Sequence, residues 1–301
     1  MTNSNNSENN KSGFVAIIGP PNAGKSTFLN KVLGMKISIT SKKPQTTRNR
    51  IVGVLTRAHA QFIFIDTPGV HKPKGVLNER IVDVAVSAIS DVDLVLLLID
   101  ASNKDSVSEQ LILKQLEKQK RPVILALNKI DLLDKNILLS QIDKWSKSYP
   151  FESIIPVSAK TGVQVDDLLN AMEISLPKGH FLYPEDTLTE SPTKFIVAEI
   201  IREKAFRLTG QELPYSVAVT IDLFQEKKRG SMVKIFATIH VERDSQKKII
   251  IGKNGSKIKQ IGQSARLDIE KILNTKIFLK LFIRVQKNWS KDTKALRNFG
   301  Y

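Results

Sequence analysis

Residues 19–26 read Gly19-Pro20-Pro21-Asn22-Ala23-Gly24-Lys25-Ser26, which fits the phosphate-binding pattern G-x-x-x-x-G-K-[ST]. The apolar run Phe14-Val15-Ala16-Ile17-Ile18 precedes it and reads as a buried strand. Thr27-Phe28-Leu29-Asn30-Lys31-Val32-Leu33 follows and reads as a helix ending at Gly34. Strand, glycine-rich turn and helix start are the setting that the pattern requires. Phosphates are crowded with negative charge and need many donors at close range. Successive backbone N–H groups of the loop and the positive end of the helix supply them. Gly19 and Gly24 permit a backbone approach that a Cβ would obstruct. In this pattern Lys25 reaches the β- and γ-phosphates and the Ser26 hydroxyl binds Mg²⁺. Pro20, Pro21, Asn22, Ala23 and Thr27 complete the expected nucleotide cradle.

The chain has 301 residues, enough for a full core and two domains. Net charge is +16, which favours an anionic partner such as nucleic acid or an acidic membrane surface. That charge is uneven: residues 191–301 carry 23 Lys and Arg against 10 Asp and Glu, leaving only +3 for residues 1–190. The basic surface therefore belongs to the C-terminal part. Cysteine is absent and there are four His, which excludes disulfides and thiolate catalysis and argues against zinc. No apolar run approaches the length of a membrane span. Residues 1–12 are rich in Asn and Ser without an apolar core, so a disordered tail is expected rather than a signal peptide.

Along the chain, 36–50 is a polar loop containing Pro44-Gln45-Thr46-Thr47-Arg48, a candidate switch ordered by γ-phosphate and Mg²⁺. Of its two threonines, Thr47 is favoured as the Mg²⁺ ligand. Strands are expected at 51–55 and 61–65, the second ending in Asp66-Thr67-Pro68-Gly69. A strand-terminal Asp66 can hold the Mg²⁺ shell through water, and the Gly69 N–H can meet the γ-phosphate. Val70–Gly75 reads as a mobile loop, 76–90 as an amphipathic helix and 92–100 as a buried strand. A helix follows at 106–119, with Ser106 and Ser108 as candidate caps. A strand at 122–127 leads into Asn128-Lys129-Ile130-Asp131. A carboxylate at Asp131 can accept from both guanine N1–H and N2–H₂, whereas adenine would leave it unpaired at a cost. The Lys129 stem can pack along the base, and Asn128 can tie the loops together. A helix is expected at 138–149 and a strand at 153–157. The strand runs into Ser158-Ala159-Lys160, where the Ala159 N–H is a candidate donor to guanine O6. These motifs recur at strand C-termini, the edge where open α/β sheets bind ligands. They point to GTP or GDP.

The four motifs resemble those of the translation-factor-related GTPases. Position 70 is Val, where many small GTPases carry the Gln that orients the attacking water. That resembles the hydrophobic-substituted group and implies slow intrinsic turnover, so no catalytic base is assigned. Asn22 matches the Asn that some relatives use to bind K⁺ beside the phosphates, making K⁺ a further candidate cofactor.

Leu176-Pro177-Lys178-Gly179 closes the first pattern, and the polar, Pro-containing stretch after it reads as a linker. The expected division is a tail at 1–12, a GTP-binding domain at 13–178, a linker at 179–193 and an RNA-binding domain at 194–301. In the last of these, 194–208 has helical spacing, 217–221 and 233–241 alternate as strands, and Arg229-Gly230-Ser231 fits the turn between them. Then Ile249-Ile250-Ile251-Gly252-Lys253-Asn254-Gly255-Ser256-Lys257-Ile258 leads into a helix through about Leu273. A last alternating strand spans 277–285. The order α-β-β-α-α-β with a G-x-x-G loop resembles a type II KH domain. Gly252 and Gly255 would let backbone approach a nucleic acid strand, Lys253 would supply charge, and Asn254, Ser256 and Lys257 complete the loop. Ile250, Ile251 and Ile258 either line the groove under the bases or pack in the core. Trp289 and Phe299 either stack on bases or cover the domain edge. The fold class expected is thus an α/β P-loop GTPase domain plus an α+β type II KH domain.

Taken whole, the chain resembles the Era family over residues 13–301. Leu182-Tyr183-Pro184-Glu185-Asp186, Arg202-Glu203-Lys204 through Glu212-Leu213-Pro214-Tyr215, and the ending from Asn288-Trp289-Ser290 to Phe299-Gly300-Tyr301 carry the likeness. The resemblance implies a GTPase, using GTP/GDP and Mg²⁺, that binds the 3′ end of small-subunit (16S) ribosomal RNA and aids 30S maturation. It also implies a cytoplasmic monomer with a peripheral inner-membrane fraction. Two alternatives stay open: an RNA-binding structural protein with a non-catalytic nucleotide site, and a GTPase acting in tRNA modification.

Overall fold

Eight residues, Lys11–Ile18, form strand β1, and their burial on both faces explains their near-continuous apolar character. The computed structural model describes residues 10–40, 47–71, 76–210, 217–226 and 232–299. Most of the expected tail, residues Pro44 to Thr46 of the switch loop, 72–75, the 212–215 stretch, the 229–231 turn and the last two residues lie outside the described residues. The chain divides into two units: among the described residues the first comprises 10–38, 47–71 and 78–190, and the second comprises 39–40, 76–77 and 191–299.

In the first unit β1 is followed by α1 (Lys25–Leu33), β2 (Ile51–Thr56), β3 (Ala60–Asp66), α2 (Val76–Ser87) and β4 (Leu94–Asp100). Then come α3 (Ser106–Leu116), β5 (Val123–Asn128), α4 (Lys135–Ser146), β6 (Ser153–Val157) and α5 (Val165–Ser175). The sheet order is β2-β3-β1-β4-β5-β6, with every neighbouring pair parallel except β2 and β3. Its register aligns the strand ends that carry the motifs. Ile17 faces Asp66, Asp100 faces Asn128, and Asn128 faces Val157. β1 sits between β3 and β4, so the chain order reverses beside it and opens a crevice at the carboxyl edge. Leu94 through Leu98 are all fully buried. Each such side chain contributes about 1.5–3 kcal/mol relative to exposure, so the central strands outweigh the modest helix propensities around them.

Two local readings change. Helix α3 is capped by Asp105, whose side chain accepts from the Ser108 N–H at 3.1 Å, not by Ser106 or Ser108. Helix α5 had not been singled out in the sequence. Its Val165, Leu168, Leu169 and Met172 nevertheless form a buried stripe at helical spacing.

The segment after α5 is laid along the sheet edge. Gln61 is fully buried in β3. Its Oε1 accepts from the N–H groups of Leu182 (2.7 Å) and Tyr183 (2.9 Å), while its Nε2 donates to the Tyr183 carbonyl at 2.8 Å. Further on, the Val54 N–H donates to the Leu188 carbonyl at 2.9 Å and Thr189 pairs with Gly53.

The second unit contains α6 (Thr193–Leu208), β7 (Ala218–Glu226), β8 (Val233–Val241), α7 (Asp244–Ile251), α8 (Ser256–Leu273), β9 (Ile277–Val285) and α9 (Thr293–Asn298). Its sheet runs β7-β8-β9, antiparallel then parallel. Odd-numbered β8 residues from Val233 to Val241 are buried under the helices. In α6 the buried Arg202 is neutralised by Glu199, with Nε donating to Oε1 at 2.7 Å.

The buried amide clamp makes a test. Gln61→Leu keeps the bulk and deprives the part-buried Leu182 and Tyr183 N–H groups and the Tyr183 carbonyl of this partner, at about 0.5–1.5 kcal/mol each. Faster amide exchange at Leu182 and Tyr183 and new proteolytic cleavage within 180–190 are expected; unchanged exchange at both amides would refute the clamp.

Candidate functional site

The loop from β1 to α1 is wrapped tightly enough to explain its glycines. At Gly19 (φ +154°) an added Cβ would stand 2.1 Å from the Leu98 carbonyl oxygen. At Gly24 (φ +100°) it would stand 2.2 Å from Asn128 Nδ2. Lys25, the first residue of α1, curls over the loop, and its Nζ donates to the carbonyls of Gly19 (3.0 Å) and Pro20 (2.8 Å). Burial pulls its pKa from 10.5 to about 8, with the Asp66 charge opposing that fall. An anion in this loop would therefore meet a dry, positively charged cradle, where its Coulomb energy is larger than in water.

Beside it lies a cluster of oxygens. Asp66 Oδ2 accepts from Ser26 Oγ (2.8 Å) and Ser38 Oγ (2.7 Å), and Ser26 Oγ lies 2.9 Å from Thr47 Oγ1. Asp66 is fully buried and its Oδ1 has no hydrogen-bond partner. Burial raises the Asp66 pKa, partly offset by the Ser38 hydrogen bond, the Lys25 charge and the Ser26 hydrogen bond. Hydroxyl and carboxylate oxygens with one unpartnered carboxylate oxygen suit a hard cation of the Mg²⁺ type. Ser26, Thr47 and Asp66 are thus brought together; Ser38 is an addition. It is held by Asn30, whose Oδ1 accepts from the N–H groups of Ile37 and Ser38, both at 3.0 Å. One serine in a polar loop carries no signal that sequence reading could use.

After Asp66, Thr67 Oγ1 donates to the Ile17 carbonyl at 2.8 Å, and the Val70 N–H donates to the Gly19 carbonyl at 3.1 Å. Gly69 packs so closely that a Cβ would come 2.7 Å from Pro21 Cα. Val70 itself is buried in the core, so residue 70 brings no polar side chain to the phosphate edge. Pro68 completes this turn, and exposed Asn22 stands in the P-loop at φ +63°.

Asn128 joins the loops. Its Nδ2 donates to the Ala23 carbonyl (2.7 Å), and its Oδ1 accepts from the Ala159 N–H (2.9 Å). The Ala159 N–H is therefore engaged in this structure, not free to face guanine O6 as expected. Ser158 Oγ donates to Asp131 Oδ1 at 2.6 Å and aims that exposed carboxylate. Lys129, at φ +68°, reaches Asp100 with Nζ 2.5 Å from Oδ2. Asp100 had not been singled out; its place at the end of β4, in register with Asn128, was the available signal.

In the second unit the G-x-x-G turn joins α7 to α8. Gly252 (φ +70°), Asn254 (φ +51°) and Gly255 (φ +72°) all have positive φ, the last two in the left-handed helical region. A Cβ at Gly252 would stand 2.6 Å from Lys257 Cβ, whereas Gly255 faces open space. Lys253, Asn254 and Ser256 are exposed, and Ile251, Lys257 and Ile258 half-buried. Ile250 is fully buried, so the helical period gives it packing rather than contact with a ligand. Trp289 is also fully buried, with Phe299 edge-on at 5.1 Å, so the tail aromatics pack against the domain.

A family model described as 50S ribosome-binding GTPase matches residues 14–129, and a KH domain model matches residues 212–290. GTPase Era of Geobacter metallireducens is 53% identical over 291 residues, covering 97% of this chain and 98% of that protein. GTPase Era of Staphylococcus haemolyticus is 45% identical, with 97% of each covered. Among solved structures, Era in complex with MgGDPNP and nucleotides 1506–1542 of 16S ribosomal RNA superposes with a TM-score of 0.93 at 39% identity. An Aquifex aeolicus Era variant bound to GDP and AlF₄⁻ gives 0.92 at 40% identity. Both alignments cover 97% of this chain and 99% of the other. With the P-loop, the oxygen cluster, the Asn128 tie and the G-x-x-G turn all in one chain, these likenesses lead to one assignment: the chain belongs to the Era family of GTPases.

Proposed function

We propose that this chain is a Mg²⁺-dependent GTP switch that binds the 3′ end of small-subunit ribosomal RNA and promotes 30S maturation. The observation that carries the reading is the meeting of Lys25, Ser26, Thr47 and Asp66 at the sheet edge of a chain that also presents a G-x-x-G turn. In this reading the first unit binds nucleotide and the second binds RNA, in a monomer; β1 begins at Lys11, inside the expected tail, and the expected linker 179–193 is for the most part held on the first unit's sheet edge, with α6 starting at Thr193. Likeness to Era holding MgGDPNP and 16S nucleotides supports it. The net charge of +16 also suits contact with an anionic inner-membrane surface from the cytoplasm.

The residues divide the work as follows. Backbone N–H groups of 19–25 and the start of α1 take the phosphates, and Lys25 neutralises them. Ser26 and Thr47 would hold Mg²⁺ and Asp66 would hold it through water; when bound, the ion would supply charge neutralisation at the phosphates. Asp131, aimed by Ser158, accepts from the guanine edge, with Lys129 along the base and Asn128 and Ala159–Lys160 closing the loop. Thr67–Gly69 and Thr27 complete the pocket. With valine at 70, water is positioned by backbone, a partner or K⁺ near Asn22. On the RNA side, Gly252–Ser256 clamps the backbone, Lys257 adds charge, and Ile251 and Ile258 line the groove. Because one chain carries both sites, any preference of RNA for the GTP state must be returned as tighter GTP binding.

Three outcomes follow. Lys25 titrates near 8 in the free protein, and bound phosphate raises that pKa. Phosphate affinity is therefore greatest well below pH 8 and falls as pH rises above it. Calorimetry with GDP in buffers of different ionisation enthalpy should find proton uptake there, and Lys25→Arg should abolish it; a flat wild-type profile refutes the assignment. Turnover in KCl should exceed turnover in NaCl at equal ionic strength, and equal rates would remove K⁺. Finally, a 16S 3′-end RNA should bind more tightly with a GTP analogue than with GDP and better than a scrambled RNA. Gly255→Asp should weaken that binding about tenfold or more while sparing GDP; equal affinity for both RNAs, whatever the nucleotide, would overturn the reading.

A further inference from the structure

The three-stranded sheet of the second unit has two unlike faces. One is roofed by helices: Gly262 of α8 lies beside Leu281 of β9, at 3.6 Å from a built Cβ to Leu281 Cδ1. The G-x-x-G turn, which opens α8, belongs to that side. The opposite face carries aromatics. Phe278 is 48% and Phe282 41% exposed, against the burial normal for phenylalanine. Phe236 stands between them, its ring 6.3 Å from Phe278 and 6.1 Å from Phe282, edge to face in both pairs. Cations are set among the rings. Lys234 Nζ lies 4.8 Å from the centre of Phe236, and Lys280 Nζ lies 5.2 Å from Phe282 and 5.9 Å from Phe236. Arg284 continues the row along β9. The acid on this face, Asp222, is engaged by hydroxyl donors, Thr238 Oγ1 at 2.6 Å and Thr220 Oγ1 at 3.3 Å.

We propose that this outer face is a second RNA-contacting surface, on the far side of the sheet from the G-x-x-G turn. It takes unpaired nucleotides by stacking bases on Phe278 and Phe282, with phosphates at Lys234, Lys280 and Arg284. Every base has a π-face, so exposed rings interleaved with cations make a sequence-tolerant platform. The competing occupants fit less well. Protein interfaces deplete lysine at their centres, and here lysine sits over the central ring. A lipid surface would take the rings into the acyl boundary and leave cations at the rim, whereas these cations cover the rings themselves. The extended backbone presents Phe278 and Phe282 four residues apart on one face of β9, with Phe236 of β8 between them, so bases can be taken at separate points along the face.

The inference is independent of the G-x-x-G reading, so the test uses the full chain carrying Gly255→Asp, alongside wild type. The probe is a labelled oligouridylate dodecamer at fixed salt. Phe278→Leu with Phe282→Leu keeps apolar bulk and removes the π-faces; affinity should fall about tenfold or more. The paired Phe278→Trp, Phe282→Trp variant should bind at least as tightly as the parent. Thermal unfolding and GDP affinity should stay at parental values in both. Parental RNA affinity in the leucine pair overturns the proposal. So does a leucine pair that keeps RNA but loses phosphatidylglycerol vesicles, or one that loses only self-association in sedimentation. If Gly255→Asp has no effect while the leucine pair does, the turn reading fails and this one stands.

Discussion

The nucleotide-binding unit depends on backbone lying against backbone. The Leu98 carbonyl occupies the place where a side chain at 19 would begin, and Asn128 occupies the same place at 24. Because nothing bulky intervenes, Asn128 can bond Ala23 on one side and Ala159 on the other. Three loops distant in sequence become one rim. Lys25 is then buried by that closeness, and the loss of hydration lowers its pKa. The same packing that gives specificity of shape thus sets the electrostatics of the pocket.

Hydroxyl donors do much of the positioning. Ser38 and Ser26 both donate to one oxygen of Asp66, leaving the other unpartnered. Ser158 does the same for Asp131. Each carboxylate therefore has its direction fixed by hydroxyl donors. Asp100 holds Lys129 in a left-handed conformation that a lysine adopts only with support.

Much of this was legible in the sequence, and the reasons are local. A P-loop needs glycines at fixed spacing, buried parallel strands need unbroken apolar runs, and the sheet edge gathers whatever ends each strand. So Lys25, Asp66, Asn128 and Asp131 could be read from pattern alone. Ser38 and Asp100 could not, because their roles arise from loops meeting in space. Helix α5 is hard to read from sequence because a polar, Gly-containing approach masks its short apolar stripe. Ile250 shows the limit of motif reading: it belongs to the Ile-Ile-Gly run, yet its helical phase turns it inward. The exposed aromatics of β9 alternate as any half-buried strand does. Only the position of the helices shows which half is bare.

β2 is the outermost strand of the six-stranded sheet, and an outermost strand offers unpaired N–H and C=O groups to any passing chain. Here part of that row is occupied. Val54 donates to the Leu188 carbonyl, and Thr189 Oγ1 donates to the Val52 carbonyl. The stretch that leads out of the first unit thereby serves as its selvedge. Its length and composition are constrained by the edge it finishes as well as by the unit it leads to. Shortening it would expose a template for intermolecular strand pairing, so tolerance to deletion here is governed by aggregation before activity.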